Sequence, residues 1–288
     1  MNTKLKTMTG RPFLVVAGPC VIEDESLTLS IARELKSQLT GLPIEFVFKA
    51  SFDKANRTSV KGFRGPGIER GIEILNRVKH DCDLTVLTDI HTPDQASLVA
   101  ETLDWLQIPA FLCRQTDLVV GAAEAAARKG RKLNVKKGQF LAPWDAKNIV
   151  EKVREVAPEL LTGNRFWLTE RGVSFGYNQL VVDMSGFAVM QQSGVPVMYD
   201  ATHSVQTPGA GPSGQSTGGK RENIEVLARA AVAAGANGIF IEVHPEPSKA
   251  KSDGPNAFYL DRAGAFIRQL LEINQLVSSQ PKLLKSGE

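Results

Sequence analysis

Eight short apolar, β-branched runs recur along the chain: FLVVAG (13–18), IEFVFKA (44–50), LTVLTDI (84–90), LQIPAF (106–111), RKLNVKK (131–137), FWLTERG (166–172), PVMYDAT (196–202) and GIFIEVH (238–244). Between them lie stretches of helical period rich in good helix formers, such as SLTLSIARELKSQL (26–39), DLVVGAAEAAARKG (117–130), NIVEKVREVA (148–157) and ENIEVLARAAVAAG (222–235). Strands that are apolar on both faces and alternate with helices belong to a parallel sheet covered on both sides. Eight such units at roughly 20 to 40 residue spacing match a (β/α)8 TIM barrel, which takes about 250 residues as one unit. The expectation is one α/β barrel domain over residues 1–288, with 1–11 as a short N-terminal extension capping the barrel bottom. An open doubly wound sheet is the competing architecture, because periodicity does not see closure.

Composition narrows the function classes. A 42% hydrophobic, 23% charged chain of mean hydropathy −0.12 excludes disorder and a disulfide miniprotein. A net charge of +3, without a basic stripe interleaved with aromatics, disfavours nucleic acid as a partner. The three cysteines are few and odd in number, so reduced thiols and a cytoplasmic location are expected. The basic N-terminus is not followed by the apolar stretch of a signal peptide, and no run reaches the roughly 18 apolar residues of a membrane helix, so no membrane partner is expected.

In parallel α/β folds ligands bind at the carboxyl ends of the strands. Those ends carry Cys20, Lys49, Asp89, Gln107 with Arg114 beyond it, Lys136, Arg171, His203 and Glu242. Each alone has a bland reading: a strand-end lysine snorkels to solvent, and a lone cysteine is a small core thiol. Their convergence on one rim gives them weight. Lys49, Lys136, Arg171 and Arg114, with Lys54 and Arg57 of the next loop, are six candidate cations that would repel one another unless an anionic ligand such as a phosphate or carboxylate neutralised them.

Cys20, His203, Glu242 and Asp253 are a second set. Their sequence spacing is not a metal motif, but barrel closure would make strands seven, eight and one neighbours. A thiolate, an imidazole and two carboxylates suit Zn²⁺, Fe²⁺, Mn²⁺ or Co²⁺ better than Mg²⁺ or Ca²⁺. His244, His80, His91, Cys82 and Cys113 are read as structural. The Gly-rich TPGAGPSGQSTGGK (207–220) lacks P-loop spacing, so no nucleotide is implied, and it suits a loop that orders over substrate.

The motifs AGPCVIE (17–23), FKASFDKANRTS (48–59), RGPG (64–67), TDIH (88–91), QIPAFLCRQTDL (107–118), NVKKGQF (134–140), ERGVSFGY (170–177), DATHSVQ (200–206) and FIEVHPEP (240–247) closely resemble the 3-deoxy-D-manno-octulosonate 8-phosphate synthases over nearly the whole chain. The related 3-deoxy-D-arabino-heptulosonate 7-phosphate synthases carry a KPRT-type sequence where this chain has KANRTS. The resemblance implies condensation of phosphoenolpyruvate with D-arabinose 5-phosphate, release of inorganic phosphate, a role in lipopolysaccharide biosynthesis and a homotetramer. It implies phosphoenolpyruvate held by Lys49, Ser51, Gln107, Ala110 through its backbone, Lys136 and Arg171, with His203 near. It implies the sugar phosphate held by Lys54, Asn56, Arg57, Thr58 and Asp89, with Arg114 reaching a neighbouring subunit's site. Lys136, His203, Cys20 and Asp253 would carry the chemistry. The family has metal-dependent and metal-independent members, with Asn at the position of Cys20 in the latter, so this chain resembles the metal-dependent type. The alternatives are a heptulosonate phosphate synthase and a non-catalytic phosphosugar-binding barrel.

Overall fold

A computed structural model of the chain describes residues 12–57, 59–210 and 217–280. The expected extension 1–11, Thr58 and the centre of the Gly-rich loop lie outside the described residues. The eight apolar runs form β1 (Phe13–Gly18), β2 (Ile44–Lys49), β3 (Thr85–Asp89), β4 (Trp105–Ile108), β5 (Lys132–Lys136), β6 (Phe166–Glu170), β7 (Val197–Asp200) and β8 (Gly238–His244). The helices are α1 (Glu25–Leu39), α2 (Ile68–Asp81), α3 (Pro93–Thr102), α4 (Thr116–Arg128), α5 (Lys147–Val156), α6 (Gly186–Gln191), α7 (Ile224–Ala233) and α8 (Ala263–Ser279).

The strands pair in parallel in chain order, and β1 pairs with both β2 and β8, with Gly18 opposite Glu242. That last ladder closes the ring and removes the open-sheet alternative. Strand β4 ends early because Pro109 has no N–H to continue the ladder, and a short 3₁₀ turn, Ala110–Leu112, follows. Two-residue hairpins lie after β6 (173–174 with 180–181) and β7 (206–207 with 218–219).

Local sequence explains the elements. Asp24 caps α1 by accepting from the Leu27 N–H at 2.8 Å, and Pro93 opens α3 where its missing N–H costs nothing. On α5, Ile149, Val150 and Val153 form one buried stripe. Strand side chains alternate between barrel interior and helix layer. Leu14, Val16, Val47, Leu87, Trp105, Trp167, Met198 and Phe240 fill the interior, whereas Phe13, Val15, Ala17, Phe48 and Val86 belong to the larger outer core.

Two residues further along the same strands, on the same interior side, stand Lys49, Asp89, Gln107, Thr169, Asp200 and Glu242. The mouth is therefore the polar upper layer of a barrel whose lower layer is apolar. No described helix is long and apolar enough to cross a membrane.

At the closing seam a Cβ on Gly18 would lie 2.0 Å from the Lys49 carbonyl oxygen. Gly18→Ala must push β1 away from β2, with an expected loss of at least about 2 kcal/mol. A fall in the denaturant midpoint at unchanged slope checks this.

Candidate active site at the barrel mouth

A cleft of about 820 Å³ opens over the carboxyl ends of the strands. Among the residues expected from sequence it is lined by Lys49, Lys54, Asn56, Arg57, Asp89, Ala110, Lys136, Arg171, His203, Glu242 and Asp253. Cys20, Ser51 and Gln107 are buried around that lining. Arg114 does not reach this cleft; it borders a separate depression with Cys113, Leu141 and Asp145.

The cations are not bare. Lys49 Nζ donates to Glu242 Oε1 at 2.8 Å and lies 3.5 Å from Asp89 Oδ2, and Lys54 Nζ is 3.8 Å from the same Glu242 oxygen. Lys136 Nζ donates to Asp200 Oδ2 at 2.6 Å and sits over the Phe240 ring. The expectation of cations neutralised only by ligand is thus corrected, since carboxylates alternate with them around the mouth. Arg171 differs. Its Nη2 donates to the His203 carbonyl and Gln206 Oε1, and its buried Nη1 has no partner among the described residues.

Burial and Coulomb interaction compete at each group. Burial opposes the Asp200 charge, but His203 and Lys136 hold its carboxyl well below the usual range. Glu242 is likewise lowered to about 2, with His203, Lys49 and Lys54 outweighing burial. Burial lowers the pKa of Lys136 despite Asp200, whereas at Lys49 burial is the largest single influence but Glu242 and Asp89 together help to outweigh it and the pKa rises. Burial lowers the pKa of Arg171 as well.

One wall of the interior is a hydrogen-bonded chain. Thr169 Oγ1 donates to Asn134 Oδ1 (2.8 Å), Asn134 Nδ2 to Gln107 Oε1 (2.7 Å) and Gln107 Nε2 to Asp89 Oδ1 (2.5 Å). Ser51 Oγ donates to Asp89 Oδ2. Ser51 and Gln107 thus face Asp89.

Across the seam, Cys20, Glu242 and Asp253 offer ligand atoms that all lie within 4.8 Å of one another. Two atoms each about 2.3 Å from one ion are at most about 4.6 Å apart, so small adjustments bring the set to coordination distance. His203 Nε2 lies 3.5 Å from Glu242 Oε2 and 3.6 Å from Asp253 Oδ2. Its Nδ1 meets Asp200 at 2.8 Å, the carboxylate contact that orients a metal-binding imidazole. Burial works against the imidazolium, yet the Asp200 and Glu242 carboxylates raise the His203 pKa. Burial, then Asp253 and Glu242, push the Cys20 thiol well up; its Sγ–H donates to Ser252 Oγ and Asp253 Oδ2. Glu242 Oε2 is buried with no hydrogen-bond partner among the described residues. An unpartnered carboxylate oxygen beside a thiol, an imidazole and a second carboxylate fits a divalent transition metal.

Sequence reasoning missed three residues here. His91, expected to be structural, lines the cleft, with its Nδ1 buried and unpartnered among the described residues. The signal was its place two residues after Asp89 in TDIH. Asp200 joins Lys136 to His203, and Asn134 joins Thr169 to Gln107. Of the others read as structural, Cys82 and Cys113 are buried in the core, His244 Nδ1 accepts from the Glu246 N–H, and His80 lies exposed on α2. Replacing Asn134 by Leu strips partners from Gln107 and Thr169. At about 1–3 kcal/mol for each of the two orphaned groups, the expected loss is about 2–6 kcal/mol, readable by denaturant unfolding.

A closed (β/α)8 barrel with a polar, charge-lined cleft over the carboxyl ends of its strands has the architecture of a TIM-barrel enzyme. The chain belongs to the DAHP synthetase I family, which it matches over residues 2–279. It is similar to the 2-dehydro-3-deoxyphosphooctonate aldolase of Geobacter sp. (strain M21), 55% identical over 269 residues, covering 93% of this chain and 94% of that protein. Proteins of the same name from Methylibium petroleiphilum (50% over 274 residues, covering 95% and 94%) and Cupriavidus taiwanensis (54% over 268 residues, covering 93% and 91%) are similarly close.

Proposed function

We propose that the chain condenses phosphoenolpyruvate with D-arabinose 5-phosphate and water to give 3-deoxy-D-manno-octulosonate 8-phosphate and inorganic phosphate. The observation that carries this reading is identity of 50–55% across at least 93% of the chain to proteins named 2-dehydro-3-deoxyphosphooctonate aldolase. The heptulosonate phosphate synthase alternative shares the family, but those relatives favour the octulosonate reaction. Lipopolysaccharide biosynthesis, a cytoplasmic location and a homotetramer with Arg114 reaching the neighbouring site belong to the same proposal.

Phosphoenolpyruvate is assigned to Lys49, Lys136, Arg171 and the Ala110 backbone, with Ser51 and Gln107 supporting this region through Asp89. Arabinose 5-phosphate is assigned to Lys54, Asn56, Arg57, Thr58 and Asp89. C3 of phosphoenolpyruvate is a weak nucleophile, so both anions must be held at near-attack distance in one cleft, and the cations offset their repulsion. C3 bonds to the aldehyde carbon, water adds at C2, and the hemiketal phosphate collapses with cleavage of its C–O bond. One proton leaves the water and one reaches the aldehyde oxygen. Lys136, held by Asp200, is assigned to proton transfer there, while Asp200 orients His203 through Nδ1. Cys20, His203, Glu242 and Asp253 would hold Zn²⁺, Fe²⁺, Mn²⁺ or Co²⁺, which when bound supplies carbonyl polarisation or a more acidic water.

Phosphate release from phosphoenolpyruvate should depend on the sugar phosphate and favour arabinose 5-phosphate over erythrose 4-phosphate by at least about tenfold in kcat/KM. Equal turnover of the two refutes the substrate assignment, and binding without release leaves the non-catalytic alternative. For the metal, Cys20→Asn removes the only sulfur donor of the set. Elemental analysis of purified protein should find its content of divalent transition metal at least about tenfold lower than in wild type, and equal loading refutes the ligand set.

A further inference from the structure

Beyond the cleft the barrel buries another ion pair, which the proposed chemistry does not use. Lys137 Nζ lies 3.3 Å from Glu170 Oε2, with side-chain exposures of 0% and 3%. Neither residue lines the cleft. Lys137 Nζ also donates to the Leu141 carbonyl at 3.1 Å, and Glu170 Oε1 accepts the Gly172 N–H at 2.5 Å. Gly172 has φ +88°, where the chain turns out of β6.

Alternation explains what the pair can do. Asn134 and Lys136 face the interior, where they bond Gln107 and Asp200, so Lys137 points to the other side. On β6, Thr169 faces Asn134 and Arg171 lines the cleft, so Glu170 points away as well. The backbone ladder continues between them, with the Lys137 N–H donating to the Thr169 carbonyl at 2.8 Å. Lys137 and Glu170 thus sit behind the two peptide units that carry Lys136 and Arg171. Their side chains also fasten the loops leaving β5 and β6. A buried pair is weak support for stability, since apolar residues of similar volume replace such pairs readily.

We infer that Lys137 and Glu170 are positioning residues that set the spacing and aim of Lys136 and Arg171, and thereby the affinity of the cleft for phosphoenolpyruvate. This rests on the ligand assignment proposed above. The groups assigned to the sugar phosphate, on the loop after β2 and at Asp89 on β3, make no bond to either residue among the described contacts.

The test measures KM for both substrates, kcat, the phosphoenolpyruvate dissociation constant and the thermal midpoint. The variants are Lys137→Met, Glu170→Gln and the double Lys137→Met/Glu170→Leu. Burial already raises the Glu170 carboxyl pKa against the pull of Lys137, so without Lys137 it can take a proton and Lys137→Met need not strand a charge. In the double variant the KM and dissociation constant for phosphoenolpyruvate should rise at least about tenfold while the KM for arabinose 5-phosphate stays within about twofold. A folded double variant with phosphoenolpyruvate affinity within about twofold of wild type, or with both substrates weakened equally, overturns the inference. Should the double variant not fold, Glu170→Gln decides on the same readings, because its amide oxygen keeps the Gly172 bond. Lys136→Met and Arg171→Met are the controls. Unchanged phosphoenolpyruvate affinity in both overturns the ligand assignment; weakening there with none in the pair variants overturns the positioning role alone.

Discussion

When β8 pairs with β1, the register sets Gly18 opposite Glu242, and two further residues of chain bring Cys20 Sγ within 4.8 Å of a Glu242 carboxylate oxygen. Without that ladder the thiol and the carboxylate would stand at opposite edges of an open sheet. Ring closure also lets Lys49 on β2 reach across β1 to Glu242 on β8. Gly18 permits the close approach of β1 and β2 that this geometry needs. The metal-ligand set and the first ion pair of the cleft thus share one backbone cause.

Charge balance in the mouth follows from strand order. Acids and amines project into the same interior layer from neighbouring strands, so Lys49 and Lys136 each find a carboxylate without loops having to bring one. At Asp200, Glu242 and Lys49 the charged form is favoured despite burial because their partners are equally dehydrated, which strengthens their attraction. Arg171 and Arg57 are spent on neutral oxygens instead. They keep positive charge available to a ligand while Lys49 and Lys136 are already engaged.

The eight strands were legible because apolar, β-branched runs carry the fold in their own composition, and the best formed helices were legible for the same reason. Closure was not, since pairing between strands more than 200 residues apart leaves no local trace. Strand-end cations and the thiol, imidazole and carboxylate donors could be read as residue types at the right edge. Asp200 and Asn134 could not, because their importance lies in bonds to residues on other strands. The place of His91 two residues after Asp89 was its one sequence signal, and Arg114, expected at a neighbouring subunit's site, borders a separate depression. The neutralising carboxylates were visible singly but not as partners, so the count of cations overstated the field.

The hydrogen-bonded chain from Thr169 to Asp89 has a polarity. Every donor in it points the same way, through two side-chain amides towards one carboxylate, and Ser51 points there from the other side. Asp89 is thereby fixed as a terminus that only accepts. Its negative charge orients the Gln107 and Asn134 amides, while Lys49, Lys54 and Lys136, with the Ser51 hydrogen bond, hold its pKa down against burial. The carboxylate offers further acceptor capacity to the cleft, next to the Lys49 ammonium at 3.5 Å. The barrel wall therefore sets the hydrogen-bonding character of Asp89 from three strands away, through side chains that do not themselves line the cleft.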